Sequence, residues 1–159
     1  MTIDYSPTIT NIPKFVPAYY SRTSSTDTNV DSGLSQVGFE KYNQLSRLIH
    51  SLFEQSISDY DEEELGALSP TSEAKSFIDE LLREVYISLG DDFIVGWPIT
   101  TFDGGIRIEW DRSNDSVALM VPPTVSLGGY IFYEFGNDYY TIPITAKDLT
   151  EKLRQLIEK

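Results

Sequence analysis

Between Thr101 and Met120 the chain alternates in a way that leaves few folds open. A double glycine, Gly104-Gly105, opens the stretch Ile106-Arg107-Ile108-Glu109-Trp110-Asp111. A period of two puts Ile106, Ile108 and Trp110 on one face of a strand over about 105–111, with Arg107, Glu109 and Asp111 on the other. Ser113-Asn114 suits a hairpin turn, and a second strand over about 116–121 turns Val117, Leu119 and Val121 the same way. Pro122-Pro123 ends it, since proline cannot donate to a ladder. Two more strands are expected, Tyr130 to Phe135 after Gly128-Gly129, and Tyr139 to Ile142 after the turn Gly136-Asn137-Asp138. Strands joined by such short turns pair antiparallel, with helices gathered on one face.

Helical periodicity surrounds this meander. Phe39, Tyr42, Leu45, Leu48, Ile49, Leu52, Phe53 and Ile57 recur at spacings of three and four, so an amphipathic helix is expected over 39–58 with Gly38 just before its start. Ser69-Pro70 reads as a cap followed by proline at the first helical position. The stripe Ala74, Phe77, Ile78, Leu81, Leu82, Val85 and Tyr86 follows, with Gly90 as terminator. Phe93-Ile94-Val95 reads as a short extended stretch and Trp97-Pro98 as a linker into the sheet. Thr145, with Asp148 three residues on, caps a last helix that buries Leu149, Leu153, Leu156 and Ile157. Lys152, Arg154 and Lys159 stand towards its carboxyl end, where cations suit the helix dipole. The expected fold is therefore α+β: two N-terminal helices, a four-stranded antiparallel meander and a C-terminal helix over 39–159, preceded by an extended arm over 1–38.

The arm is punctuated by Pro7, Pro13 and Pro17, and Ser21 to Ser32 is nearly all small and polar. Such a composition does not bury enough apolar surface to offset its ordering entropy. Within it Ile12, Phe15, Val16, Tyr19 and Tyr20 form an apolar island. The island reads either as a partner-binding segment or as a strap on the chain's own domain.

The formal charge of −13 is spread over the middle of the chain: residues 39–68 carry −5, 69–92 carry −4 and 93–143 carry −4, whereas 144–159 carry +1. That sign opposes nucleic-acid binding, which depends on cations neutralising phosphates. It serves solubility, and it favours encounter with a basic protein. With no cysteine in the chain, disulfides and thiolate chemistry are excluded. The residues after Met1 lack the basic and apolar regions of a secretion signal, and no apolar run approaches the ~20 residues of a membrane span. A cytoplasmic location with no membrane partner is expected.

Candidate chemistry is sparse. His50 is the one histidine, with Glu54 a turn later, and no nucleophile accompanies it. Asp59-Tyr60-Asp61-Glu62-Glu63-Glu64 reads as a solvated acidic linker that lacks the spacing of a calcium loop. Asp111 to Asp115 starts like such a loop, but Ser116 stands where glycine is needed and Pro122 where the bidentate glutamate belongs. Glu109 and Asp111 share a strand face, the normal pattern of an exposed sheet as much as a hydrolase pair. Gly104-Gly105 precedes a strand, whereas phosphate-cradling glycines follow one and open a helix. No catalytic residue, metal site or cofactor is expected.

Tyr130, Phe132, Tyr133, Phe135, Tyr139 and Tyr140 crowd the last hairpin, so both its faces carry aromatic rings. One face is expected on the helices, and the other is either covered by the arm or exposed as an interface. Phe15, Tyr19, Tyr20, Tyr130, Tyr133 and Tyr139 are the candidate partner-binding residues.

Residues 70–135 resemble a loose group of small bacterial proteins. The resemblance rests on Trp97-Pro98 and on the strand Asp103-Gly104-Gly105-Ile106 through Glu109-Trp110. Members of that group look like components of toxin–antitoxin or defence loci. The resemblance implies a structural role for Asp103, Gly104, Gly105, Glu109 and Trp110 and implies no activity. The expected function is non-enzymatic protein binding, by an antitoxin-like or accessory subunit that engages a basic protein through its acidic surface and aromatic hairpin. A structural subunit strapped into an assembly by the arm, or a DNA-mimicking inhibitor, are the alternatives.

Overall fold

The computed structural model describes residues 36–58 and 69–159, with side chains over 36–54 and 69–159. These residues belong to one compact unit, Ser32–Lys159. Two helices, α1 (Gln36–Ser58) and α2 (Ser72–Leu89), precede five strands, and α3 (Ala146–Glu158) follows them. The strands are β1 (Trp97–Thr100), β2 (Ile106–Arg112), β3 (Asp115–Val121), β4 (Tyr130–Phe135) and β5 (Asp138–Pro143). They lie in chain order, every neighbouring pair antiparallel.

The α+β meander is thus as expected, but it has five strands and not four. The additional strand is the segment read as a linker. Proline is tolerated on an edge strand where its nitrogen faces away from the ladder, and Pro98 sits on such an edge, opposite Ile108. The double glycine is the hairpin turn between β1 and β2. Thr101 N–H bonds to the Gly105 carbonyl (2.9 Å), and Gly104 N–H bonds back to that of Thr101 (3.0 Å). Gly104 adopts φ +85°, and a Cβ on Gly105 would stand 2.5 Å from the Val121 carbonyl oxygen. The first glycine makes the turn, and the second lets β3 approach it.

Two helix starts differ from expectation. The cap of α2 is Thr71 and not Ser69: its hydroxyl accepts the Ala74 N–H (3.1 Å) and donates to the Pro123 carbonyl (2.5 Å). A loop distant in sequence thus selects the capping residue, and Pro70 is buried ahead of the helix. The α1 helix begins at Gln36, ahead of Phe39, so Gly38 lies inside it. A Cβ there would meet the Gly90 carbonyl oxygen at 2.1 Å, so glycine is what lets α1 lie against the 3-10 turn Gly90–Asp92. As expected, Gly90 ends α2, its N–H bonding to the Tyr86 carbonyl, and Thr145 caps α3 by accepting the Asp148 N–H (3.0 Å). The cations of α3 serve otherwise than expected. Arg112, from β2, donates to the terminal carbonyls of Ile157 and Leu156, while Arg154 reaches Ser88 on α2 (2.7 Å).

One side of the sheet forms the core. Ile106, Ile108 and Trp110 of β2, Val117, Leu119 and Val121 of β3 and Ile131 of β4 pack with Leu45, Ile49, Ile78, Leu82, Leu149 and Leu153 of the helices. Each such side chain contributes about 1.5–3 kcal/mol by leaving water. Tyr42, Tyr86 and Phe93 join α1 to α2, the two tyrosines stacked with centroids 5.0 Å apart. All three helices lie on this side, and no described helix covers the other.

Candidate functional site

Strand register lays out the helix-free side in rows. Residues paired across neighbouring strands share a face. One row runs Ile99, Arg107, Met120, Tyr130, Pro143, and the next Trp97, Glu109, Ala118, Phe132, Thr141. A third, shorter row runs Asp111, Ser116, Glu134, Tyr139. Trp97 is 67% exposed, Tyr139 72% and Tyr130 44%. Large apolar side chains left in water across a sheet face are a mark of an interaction surface.

Three carboxylates, Glu109, Asp111 and Glu134, stand among these rings against one guanidinium, that of Arg107. Arg107 and Glu109 form an ion pair two residues apart on β2, so the face offers no unpaired cation. The Glu109 and Asp111 side chains share the face, as alternation required, and Glu109 is committed to Arg107.

The candidate aromatic residues divide between the two sides. Tyr130 and Tyr139 belong to the helix-free face. Tyr133 pairs with Tyr140 on the opposite side, half-buried, with the Lys152 ammonium 4.4 Å from its ring centre. Phe135 lies on that side too, under Lys159 at 4.6 Å. The α3 lysines thereby cover part of the hairpin through cation–π contact. Trp97 and Ile99 are face residues that the linker reading of Trp97-Pro98 concealed, and they share the face with Phe132 of the last hairpin. Their signal was present: Trp-Pro-Ile-Thr, a glycine turn and an alternating strand describe a hairpin whose first strand is an edge.

The residues of the glycine turn and β2, Asp103, Gly104, Gly105 and Trp110, separate by role. Trp110 is 2% exposed, and its indole N–H bonds to the Ile94 carbonyl (3.2 Å). Asp103 sits at the β1–β2 turn, where its Oδ1 accepts the Thr101 hydroxyl (2.6 Å) and the Gly105 N–H (3.3 Å). Those bonds, that of Thr101 foremost, hold its carboxyl below the ordinary value of 3.8. Gly104 and Gly105 form the turn itself.

Two grooves flank the sheet. One, of about 480 Å³, lies beside the β1–β2 turn between Phe102, Asp103, Met120, Gly129 and Tyr130. The other, of about 430 Å³, is lined by Trp110 and by Lys41 and Arg112, both committed to backbone carbonyls. His50 pairs with Glu54 on the exposed side of α1 (3.4 Å). Among the described residues no group of three His, Asp or Glu side chains is placed to hold a metal ion, and no helix is long and apolar enough to cross a membrane. Asp111 and Asp115 belong to the β2–β3 hairpin. Phe15, Tyr19, Tyr20 and the acidic run 59–64 lie outside the described residues.

Comparison with protein-family models, curated proteins and solved structures finds no match to this chain.

Proposed function

We propose that this protein is a non-catalytic binding module, antitoxin-like or an accessory subunit, which docks a basic protein on the helix-free face of its sheet. One observation carries the reading: exposed Trp97 shares a row with Glu109 and exposed Tyr139 one with Asp111 and Glu134, and exposed Tyr130 stands on the same face in the row of Arg107. Aromatic anchors of this kind supply most of the energy of protein interfaces, and the acidic frame selects partner and orientation. The acidic composition of the whole chain adds steering at longer range. A cytoplasmic setting accords with this role.

The test compares proteins captured by the full chain with those captured by the double variant Trp97→Ser, Tyr139→Ser. The expected result is a basic protein retained by the parent and lost by the variant. A partner that is acidic, or that is held equally by both chains, overturns the proposal. Turnover of any substrate abolished by Glu109→Gln with folding intact would replace binding by hydrolysis.

A further inference from the structure

The groove beside the β1–β2 turn sits at one end of the helix-free face and has its own chemistry. Its volume of about 480 Å³ suits a single side chain with its flanking backbone. Phe102, 75% exposed, and Tyr130 supply aromatic walls, and Gly128 and Gly129 give a floor without side chains. The one formal charge among its lining residues is Asp103. Arg107, beside Met120 in the register, is held by Glu109 and leaves that charge uncompensated.

We infer that this groove receives an arginine side chain of the basic partner, with the guanidinium against the aromatic walls and donating to Asp103. The inference rests on the protein-binding reading of the same face. An arginine fits for three reasons. Its planar cation stacks on aromatic rings, and it is more weakly hydrated than an ammonium. Its N–H groups form charge-assisted bonds to a carboxylate. The receiving carboxylate is oriented beforehand: Thr101 and Gly105 both bind Oδ1, while Oδ2 accepts no hydrogen bond from another described residue. An acceptor fixed in advance loses little freedom on binding.

The experiment titrates the full chain with blocked Gly-Arg-Gly, Gly-Lys-Gly and Gly-Leu-Gly peptides and follows backbone amide shifts. The arginine peptide is expected to give saturable shifts over 101–105 and 128–130, with the lysine peptide weaker and the leucine peptide inert. Asp103→Asn keeps an acceptor for Thr101 and Gly105, and it is expected to weaken the arginine peptide about tenfold. Phe102→Ala, at an exposed tip, is a second variant expected to weaken it with the fold intact. Equal binding of leucine, or shifts spread over the whole acidic surface, overturns the groove assignment. So does a natural partner that is lost by Trp97→Ser, Tyr139→Ser yet held at full strength by Asp103→Asn and Phe102→Ala; the wider face then stands. Loss of no partner by any of these variants removes both.

Discussion

The two tryptophans of this chain stand on opposite sides of one sheet and report opposite environments. Trp110 is sealed among the helices with its N–H satisfied, whereas Trp97 lies two-thirds exposed in a row with Glu109 and Phe132. Both sides are rich in large side chains, so hydrophobicity alone does not distinguish them. What differs is the company: Trp110 is packed among buried Ile, Val and Leu, whereas Trp97 stands on a face where exposed rings are interleaved with carboxylates. A side meant for the core excludes charge, and one meant to meet another surface keeps it.

Replacing each tryptophan in turn gives the largest expected difference. Trp110→Ala is expected to lose about 3–5 kcal/mol of stability in urea unfolding. Trp97→Ala is expected to change it by less than about 0.5 kcal/mol. Acrylamide should quench Trp97 and spare Trp110. A Trp97 change as costly as that of Trp110 would mean that the helix-free face is covered after all. Gly105→Ala is expected to cost about 1–3 kcal/mol, because its methyl has to displace the β3 backbone at Val121. Thr71→Ala tests the cap that joins α2 to the Pro123 loop, with an expected loss of about 1 kcal/mol. An equal loss from Ser69→Ala would return the cap to the position expected from sequence.

The contrast between the faces was half legible in the sequence. Alternation alone assigned Ile106, Ile108 and Trp110 to one side and Arg107, Glu109 and Asp111 to the other. Short polar turns fixed antiparallel order, so four of five strands could be read to within a residue or so at each end. The first strand was missed because four residues with a central proline carry little periodic signal, and only pairing with β2 makes them a strand. The cap of α2 was missed for a similar reason: Ser69 and Thr71 are both good caps, and the deciding bond comes from Pro123. In the last hairpin, alternation separated Tyr130 from Tyr133. It did not say which of them α3 would cover, since that depends on where Lys152 and Lys159 land.

Acid titration gives the smallest expected effect and separates the two carboxylates that fasten the turns. Asp103 is held below 3.8 by neutral donors, Thr101 first and then Gly105. Asp115, on the helix side, is held low mainly by the Gly136 N–H (2.7 Å), with Lys159 (3.3 Å) adding to it. A carboxylate whose folded pKa is depressed contributes stability that is present above its unfolded value and lost as pH falls through the folded one. Both contributions should therefore fade below pH 3.8. Asp103→Asn and Asp115→Asn should each flatten that part of the curve, by little at Asp103, which is exposed. Salt distinguishes them: about 1 M sodium chloride screens the Lys159 share and not the neutral hydrogen bonds. Urea midpoints between about pH 5 and pH 2 are expected to show a salt-sensitive slope from Asp115 and a salt-resistant one from Asp103. A salt-sensitive Asp103 would place a cation beside the groove, and an incoming arginine would then be repelled where the geometry invites it.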